Sequence, residues 1–416
     1  MDVLVVGGGH AGAQAAAALR KQGFTGTVGL LWAEAGLPYQ RPPLTKEYLS
    51  GTRTLDRIFI QAAGFWEDRD IRLLAGRGVV AVDAQDRFVR TRDGQTVGFK
   101  QLIWAAGARP RRLACPGADL AGVHTIRSRS DIDALVADLA PQMPIVVVGG
   151  GYIGLETAAV LSRSHPVTVV EAADRVLARV AGEELSRFWE TEHRAHGVDI
   201  RLGNGIARII GTAGRVAAVE LSDGAVVPCG VVIVGVGVEP EVEPLRAAGA
   251  KVADGVGVVV NEQCRTSVEG IFAVGDCAGR PHPFAGGDLV RIESVQNAVE
   301  SATIAAAAVT GAPPPKPGPP TFWTNQFDLK MLTVGLARGY DTVVVRGDPA
   351  ARSFSLIYLR HGVVIALDCV NAMKDYAQGQ ALVQRQAAAE PAVLADSAVP
   401  LKNAINRLPN SLSTKG

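Results

Sequence analysis

Two stretches of the chain share one pattern of apolar and small positions. Residues 3–12 read VLVVGGGHAG and residues 145–154 read IVVVGGGYIG. In each, a β-branched apolar run meets three glycines, two variable residues and a fourth glycine. The apolar run predicts a strand, and the alanine-rich pattern after it predicts a helix. The first helix is expected to end at Arg20-Lys21-Gln22-Gly23, with cations in the last turn and then a glycine. The second is expected to end near Arg163 to Pro166. Another apolar run follows in each copy, Val28 to Leu31 and Val167 to Val170. The prediction is β-α-β twice. The copies begin 142 residues apart, which suits two domain-sized units rather than a solenoid repeat.

The rest of the pattern is less regular. Residues 37–46 form a loop-rich stretch with Pro38, Pro42 and Pro43, and short strand-like runs then lead to Leu102-Ile103-Trp104. Further short strands are expected at Val231 to Val234 and Ile271 to Val274, and a small-residue helix at roughly 293–309. Residues 313–320 read PPPKPGPP, a stiff polyproline-type linker. Beyond it, 353–359 and 363–370 predict two strands joined at His361-Gly362, and 372–388 predicts a helix. Residues 410–416 read as a frayed tail.

Composition narrows the function. The chain has 416 residues, enough for about two or three domains. Lys+Arg 42 against Asp+Glu 41 leaves a net charge of +1, so no chain-wide field holds nucleic acid or an acidic membrane. The longest apolar runs, such as 231–238, fall far short of the roughly 20 residues that span a bilayer. An apolar strand starting at Val3 leaves no room for a targeting segment. Five scattered cysteines without a CxxC or CxxxxC pair suit a reducing cytosol, and argue against a disulfide framework or an iron–sulfur cluster. The expectation is a cytoplasmic protein with no metal site, no nucleic acid and no membrane contact.

The candidate chemistry lies in the glycines. In Gly7-x-Gly9-x-x-Gly12 the first glycine permits a tight turn, the second lets backbone approach a pyrophosphate, and the third lets the helix pack closely. The helix start, with His10 and Ala11, then offers N–H groups to phosphates; His10 is read as part of that start and not as a general base. Glu34, 22 residues past Gly12, is the candidate ribose ligand. Gly149-x-Gly151-x-x-Gly154, with Tyr152 and Ile153 inside it, repeats the arrangement, and Gly235 follows a later apolar run. Its acidic partner is Glu171, whose carboxylate accepts from a ribose 2′-hydroxyl and repels a 2′-phosphate, which favours NADH over NADPH. Two dinucleotide sites suggest one held flavin and one pyridine nucleotide. Ile271 to Asp276 delivers an aspartate at a glycine turn, suited to a polyol such as the ribityl chain of FAD. Residues 104–110 end a strand in a second glycine turn, and 293–298 start a helix that is expected to face the flavin.

With these motifs in order, the chain resembles the glutathione-reductase structural family of FAD/NAD(P)H oxidoreductases, and within it the NADH:ferredoxin reductases of bacterial oxygenase systems, the putidaredoxin-reductase type. The resemblance rests on GGGHAG at 7–12, PYQRPPLTKEYL at 38–49, AAGARPR at 105–111, GGGYIGLE at 149–156, FAVGDCA at 272–278, ESVQNA at 293–298 and FWTNQFDLK at 322–330.

The resemblance implies an α/β fold of two Rossmann-like domains and a C-terminal α+β domain. The FAD domain is expected at 1–112 and 240–317, the NAD domain at 113–239, and the C-terminal interface domain at 318–416. It implies non-covalent FAD and NADH as cofactors and hydride transfer from one to the other. Single electrons then pass to a separate [2Fe–2S] ferredoxin that serves a Rieske dioxygenase or a P450. The expected state is a monomer or weak dimer.

By the same resemblance, Arg41 meets the FAD pyrophosphate and Asp276 the ribityl. Ala106, Gly107, Arg109, Ser294, Val295 and Trp323 line the flavin. Lys46 sits near flavin N5, paired with Glu156. Glu156 is also expected in the first turn of its helix, where a carboxylate is favoured anyway. Ala106 and Val295 stand where the family often has Thr and Trp. No redox cysteine pair, and no single peroxidatic cysteine, occupies 35–50, which argues against those branches. Rubredoxin reductase, NADH oxidase and a non-catalytic NADH-sensing or nucleic-acid-binding flavoprotein are the alternatives on the same fold.

Overall fold

The apolar runs at the head of each glycine motif become central strands of parallel sheets in the computed structural model, which describes residues 1–407. The tail expected at 410–416 lies outside the described residues. The chain divides into two compact units: 1–113, 124–139 and 236–317 in one, 114–123, 140–235 and 318–416 in the other. The segment 124–139 therefore clusters with the first unit, although the sequence reading placed it within 113–239.

In the first unit the parallel sheet runs in the order 71–74, 28–31, 3–6, 101–104, 271–273. Val3 pairs with Val28 on one side and Gln101 on the other. All four residues Val3–Val6 are buried, as a strand covered on both faces requires. The helix His10–Lys21 ends as expected: Gln22 caps it and Gly23 takes a φ of +85°. The helix Val295–Thr310 starts at Ser294, whose hydroxyl accepts from the Asn297 N–H, and stops at Gly311 with φ +76°.

The second unit repeats the topology. Its sheet includes the strands 199–201, 167–170, 145–148 and 231–234, in that order. Ile145 pairs with Val167 and with Val231, the same register as in the first sheet. The helix Tyr152–Leu161 stops two residues before the expected Arg163, because the chain must turn back to enter the strand at Val167.

The C-terminal part of this unit holds more strand than the apolar pattern predicts. Five antiparallel strands run in the order 321–326, 329–335, 363–370, 353–360, 342–348. The hairpin expected at His361-Gly362 is present, and both residues have positive φ, +52° and +77°, as a type I′ turn demands. The helix after it spans Met373–Gln384, shorter than 372–388. The strand Thr321–Gln326 escaped the pattern because Thr324 and Gln326, at its buried positions, are polar.

Candidate functional site

The two glycine loops have one construction. Gly7 donates its N–H to Leu31 O and Gly149 donates to Val170 O. Ala105 donates to Val6 O and Gly235 to Val148 O, so Gly235 occupies the place in its unit that Ala105 holds beside Ala106. Gly7 and Gly149 have φ of +125° and +105°, a region closed to ordinary side chains. A Cβ on Gly12 would stand 1.8 Å from Gly7 O, and one on Gly154 would stand 2.0 Å from Gly149 O. The fourth glycine of each run thus closes the loop on its own first carbonyl. At Gly9 and Gly151, by contrast, a Cβ would meet no protein atom within 4 Å. That open space faces the start of a helix.

Neither helix start is closed by its own side chains. Gly9 and Gly151 are the N-caps, with no side-chain cap and no acid in the first turn. Two other helices of the chain are capped by Ser128 and Ser294. Free N–H groups at an uncapped helix start, beside space cleared of Cβ atoms, fit the pyrophosphate of a dinucleotide. The residues present therefore fit FAD and NAD(H) on chemistry and space.

The first unit gathers most of the residues expected at the flavin. A Cβ on Gly275 would stand 3.0 Å from Ala11 Cβ, so the Gly275-Asp276 turn lies against the first loop. Asp276 faces Arg127 at 3.4 Å, and a Cβ on Gly107 would meet the same guanidinium at 2.8 Å. Arg41 pairs with Glu34, which also accepts from the Tyr39 hydroxyl. Arg41 further donates to Arg127 O at 2.9 Å and to Tyr39 Oη at 2.6 Å. Burial, with Arg41 and Arg127 nearby, lowers the His10 imidazole to about 4 and keeps it neutral, in line with a structural place at the helix start.

Glu34 does not stand at the position of Glu171. The residue that directly follows the second strand is Trp32 here, and its buried ring blocks any side chain on Gly8. Lys46 closes the turn Pro42–Thr45, and its ammonium donates to Pro42 O at 3.4 Å and Thr45 Oγ1 at 3.5 Å. Ser294 spends its hydroxyl on the helix that Val295 begins. Arg109 lies on a short ribbon and pairs with Glu239 at 3.1 Å and Glu241 at 3.2 Å.

Arg127 is the residue that sequence reading missed. Its signal was present: it precedes Ser128-x-x-Asp131, a capping box that fixes the start of the helix Arg129–Asp138. The box holds the backbone on which Arg127 reaches Asp276.

In the second unit Glu171 carries a role that spacing alone did not reveal. One carboxylate oxygen accepts the Gly150 N–H at 2.6 Å and the other accepts the Ala173 N–H at 2.8 Å. Glu171 ties the loop to the strand end, and each oxygen keeps a further lone pair for a ribose hydroxyl. The Glu171→Ala variant is expected to bind NADH about tenfold more weakly and to lose preference for NADH over NADPH. Steady-state KM values for both nucleotides check this; weaker binding with unchanged preference would limit Glu171 to the loop.

Glu156 lies beyond the first turn of its helix, not within it. The helix dipole therefore does not account for it. It is 5% exposed, and its Oε1 accepts the Thr324 hydroxyl at 2.6 Å. Tyr152 opens the same helix and packs on Phe322 with ring centroids 4.6 Å apart. Burial raises the Tyr152 hydroxyl well above its usual range, with Asp368 and Glu156 adding to the shift. Ile153 is exposed. Along the strand 321–326, Phe322, Thr324 and Gln326 share one face by the period of two, and Trp323 falls on the other.

All five cysteines are unpaired thiols. Burial pushes Cys264 and Cys277 up to about 12, which makes them poor nucleophiles. Among the described residues no cluster of His, Cys, Asp and Glu is arranged to hold a metal, and no helix is long and apolar enough to cross a membrane.

Comparison with known proteins agrees with this geometry. The chain is 49% identical to a ferredoxin–NAD(P)(+) reductase of Sphingomonas sp. over 404 residues, covering 97% of each chain. It is 51% identical to the 5,5'-dehydrodivanillate O-demethylase ferredoxin reductase subunit of Sphingobium sp., covering 96% of this chain and 97% of the other. The crystal structure of the covalent putidaredoxin reductase–putidaredoxin complex matches with a TM-score of 0.93 at 36% identity, over 97% of this chain and 98% of that one. A reductase C-terminal model matches 321–405, the antiparallel sheet and its helices. The model of the pyridine nucleotide-disulphide oxidoreductases spans both glycine loops, residues 1–302, and the chain belongs to that family.

Proposed function

We propose that this protein is an FAD-dependent NADH:ferredoxin oxidoreductase that supplies electrons to an oxygenase. The observation that carries the reading is the pair of like-built glycine loops, one in each compact unit, each with an uncapped helix start and a clear second glycine. Two such sites serve a tightly held dinucleotide and an exchanging one. When bound, FAD supplies the conversion of a two-electron hydride donor into single electrons.

The chain's own part is to bind, orient and exclude water. The first loop, through Gly7, Gly9, His10, Ala11 and Gly12, binds the FAD pyrophosphate with Arg41, while Glu34 serves the adenosine ribose. Asp276 holds the ribityl, and Ala106, Gly107, Arg109, Ser294, Val295 and Trp323 surround the ring system. Arg127 steadies Asp276 and the Gly107 turn. The second loop, through Gly149, Gly151, Tyr152, Ile153 and Gly154, binds NADH with Glu171 and Gly235. Lys46 and Glu156 act where the hydride is transferred. The domains are 1–112 with 240–317 for FAD, 113–239 for NADH apart from 124–139, which clusters with the first unit, and 318–416 for the interface with the acceptor.

The acceptor is a [2Fe–2S] ferredoxin, met transiently in the cytoplasm by a monomer or weak dimer. NADH-driven reduction of cytochrome c by the holoenzyme is expected to require added [2Fe–2S] ferredoxin. A rate that does not change when ferredoxin is added would contradict the reading and favour an NADH oxidase.

A further inference from the structure

Four buried side chains in the second unit form a continuous hydrogen-bonded row. His193 Nε2 lies 2.7 Å from Gln326 Oε1. Gln326 Nε2 donates to Thr324 Oγ1 at 3.2 Å. Thr324 Oγ1 donates to Glu156 Oε1 at 2.6 Å. His193 and Thr324 are 0% exposed and Gln326 is 1% exposed. They come from three elements: the helix Glu183–Ala195, the strand Thr321–Gln326 and the helix Tyr152–Leu161.

The row has a direction. A carboxylate only accepts, so the Thr324 hydroxyl must donate to Glu156. The Thr324 oxygen then accepts from the Gln326 amide nitrogen, which turns the Gln326 carbonyl oxygen toward His193. That oxygen needs a donor, so His193 carries its proton on Nε2. Every donor points toward Glu156, and each bond polarises the next. The far nitrogen, His193 Nδ1, is buried with no hydrogen-bond partner. Burial lowers His193 to about 4, so at neutral pH the ring is neutral, with its one proton on Nε2.

A structural purpose alone explains this row poorly. Buried polar groups cost stability unless paired, and an apolar strand face would pack the same helices without them. The helix Glu183–Ala195 has other fastenings: Glu192 pairs with Arg352 at 3.1 Å and His196 stacks on Phe327 at 3.7 Å.

We infer that His193, Gln326 and Thr324 form a directed hydrogen-bond chain that fixes the orientation of the Glu156 carboxylate, so that Thr324 and Gln326 are positioning residues for hydride transfer. The inference rests on the proposed role of Glu156 in that step.

The test combines stopped-flow reduction of the holoenzyme by NADH with NMR of the His193 ring, its signals assigned from a His193→Gln variant. Thr324→Val is expected to slow flavin reduction at least tenfold with little change in NADH affinity, and Thr324→Ser to restore it to within about threefold. Thr324→Val in a Glu156→Gln background is expected to add no further loss. The His193 Nε2 proton signal is expected to move in Glu156→Gln, although the two residues do not touch.

Thr324→Val at the wild-type rate, where Glu156→Gln is slow, would overturn the positioning role and leave that of Glu156 standing. Glu156→Gln at the wild-type rate would overturn the role of Glu156 and, with it, positioning for hydride transfer. The His193 signal separates the chain itself from that failure: a shift shows that the row reaches Glu156, and an unmoved signal in both variants refutes the row. Gln326→Leu gives a second break in the row should Thr324→Val fold poorly, with the same outcomes read in the same way.

Discussion

A Gly154→Ala variant is expected to keep its flavin and lose its reaction with NADH, with flavin reduction slowed at least a hundredfold. The added methyl would lie 2.0 Å from the Gly149 carbonyl oxygen, which is backbone and has no rotamer to escape into. Gly149 is itself tied to Val170 O, and its φ of +105° leaves little room to adjust. The loop must open, which carries its N–H groups away from the phosphates. The matching change in the first unit, Gly12→Ala, would place a methyl 1.8 Å from Gly7 O and is expected to yield protein without flavin. Gly151→Ala is the informative control. No protein atom lies within 4 Å of its new methyl, so thermal stability is expected to hold. NADH binding is nonetheless expected to fall, because that space is the one assigned to the pyrophosphate. Full activity in Gly151→Ala would show that no ligand approaches there. Flavin content by absorbance, melting temperature and NADH reduction rate together distinguish the three variants.

The second large effect is expected at Lys46. Its ammonium sits at the end of a turn stiffened by Pro42 and Pro43, held by a carbonyl and a hydroxyl. A fixed cation beside a hydride acceptor stabilises the negative charge that the acceptor gains, and such preorganised charge is worth several kcal/mol at about 1.4 kcal/mol per factor of ten. Lys46→Ala is expected to lower the rate of flavin reduction by NADH about a hundredfold at unchanged flavin content. Reduction by dithionite, which needs no hydride alignment, is expected to stay fast. A wild-type rate with NADH would remove Lys46 from the reaction.

The glycine loops were legible because each residue there answers a backbone demand. Gly7 and Gly149 need positive φ, Gly12 and Gly154 need the absence of Cβ, and no other residue type satisfies either condition. The His361-Gly362 turn was legible for the same local reason. Residues whose roles depend on distant partners were not. Arg127 reaches Asp276 across 149 residues of sequence, and the row from His193 to Gln326 spans 133. Thr324 and Gln326 hid their strand, since polar residues at buried positions break the alternation that announces one. A first-turn place for Glu156 needs a helix that starts later, after the glycine run that ends at Gly154. Its helix starts at Tyr152, so its environment comes from burial and Thr324 instead of from the dipole. Glu171 was found by position, but its bonds to Gly150 and Ala173 required the fold.

The most direct test of the account is anaerobic mixing of the flavin-loaded protein with one equivalent of NADH, followed by two equivalents of oxidised [2Fe–2S] ferredoxin. The account predicts rapid bleaching of the flavin, then return of its absorbance as the ferredoxin spectrum is lost, two ferredoxins for each NADH. A flavin that stays oxidised with NADH, or one that bleaches and does not pass its electrons to ferredoxin, would contradict it.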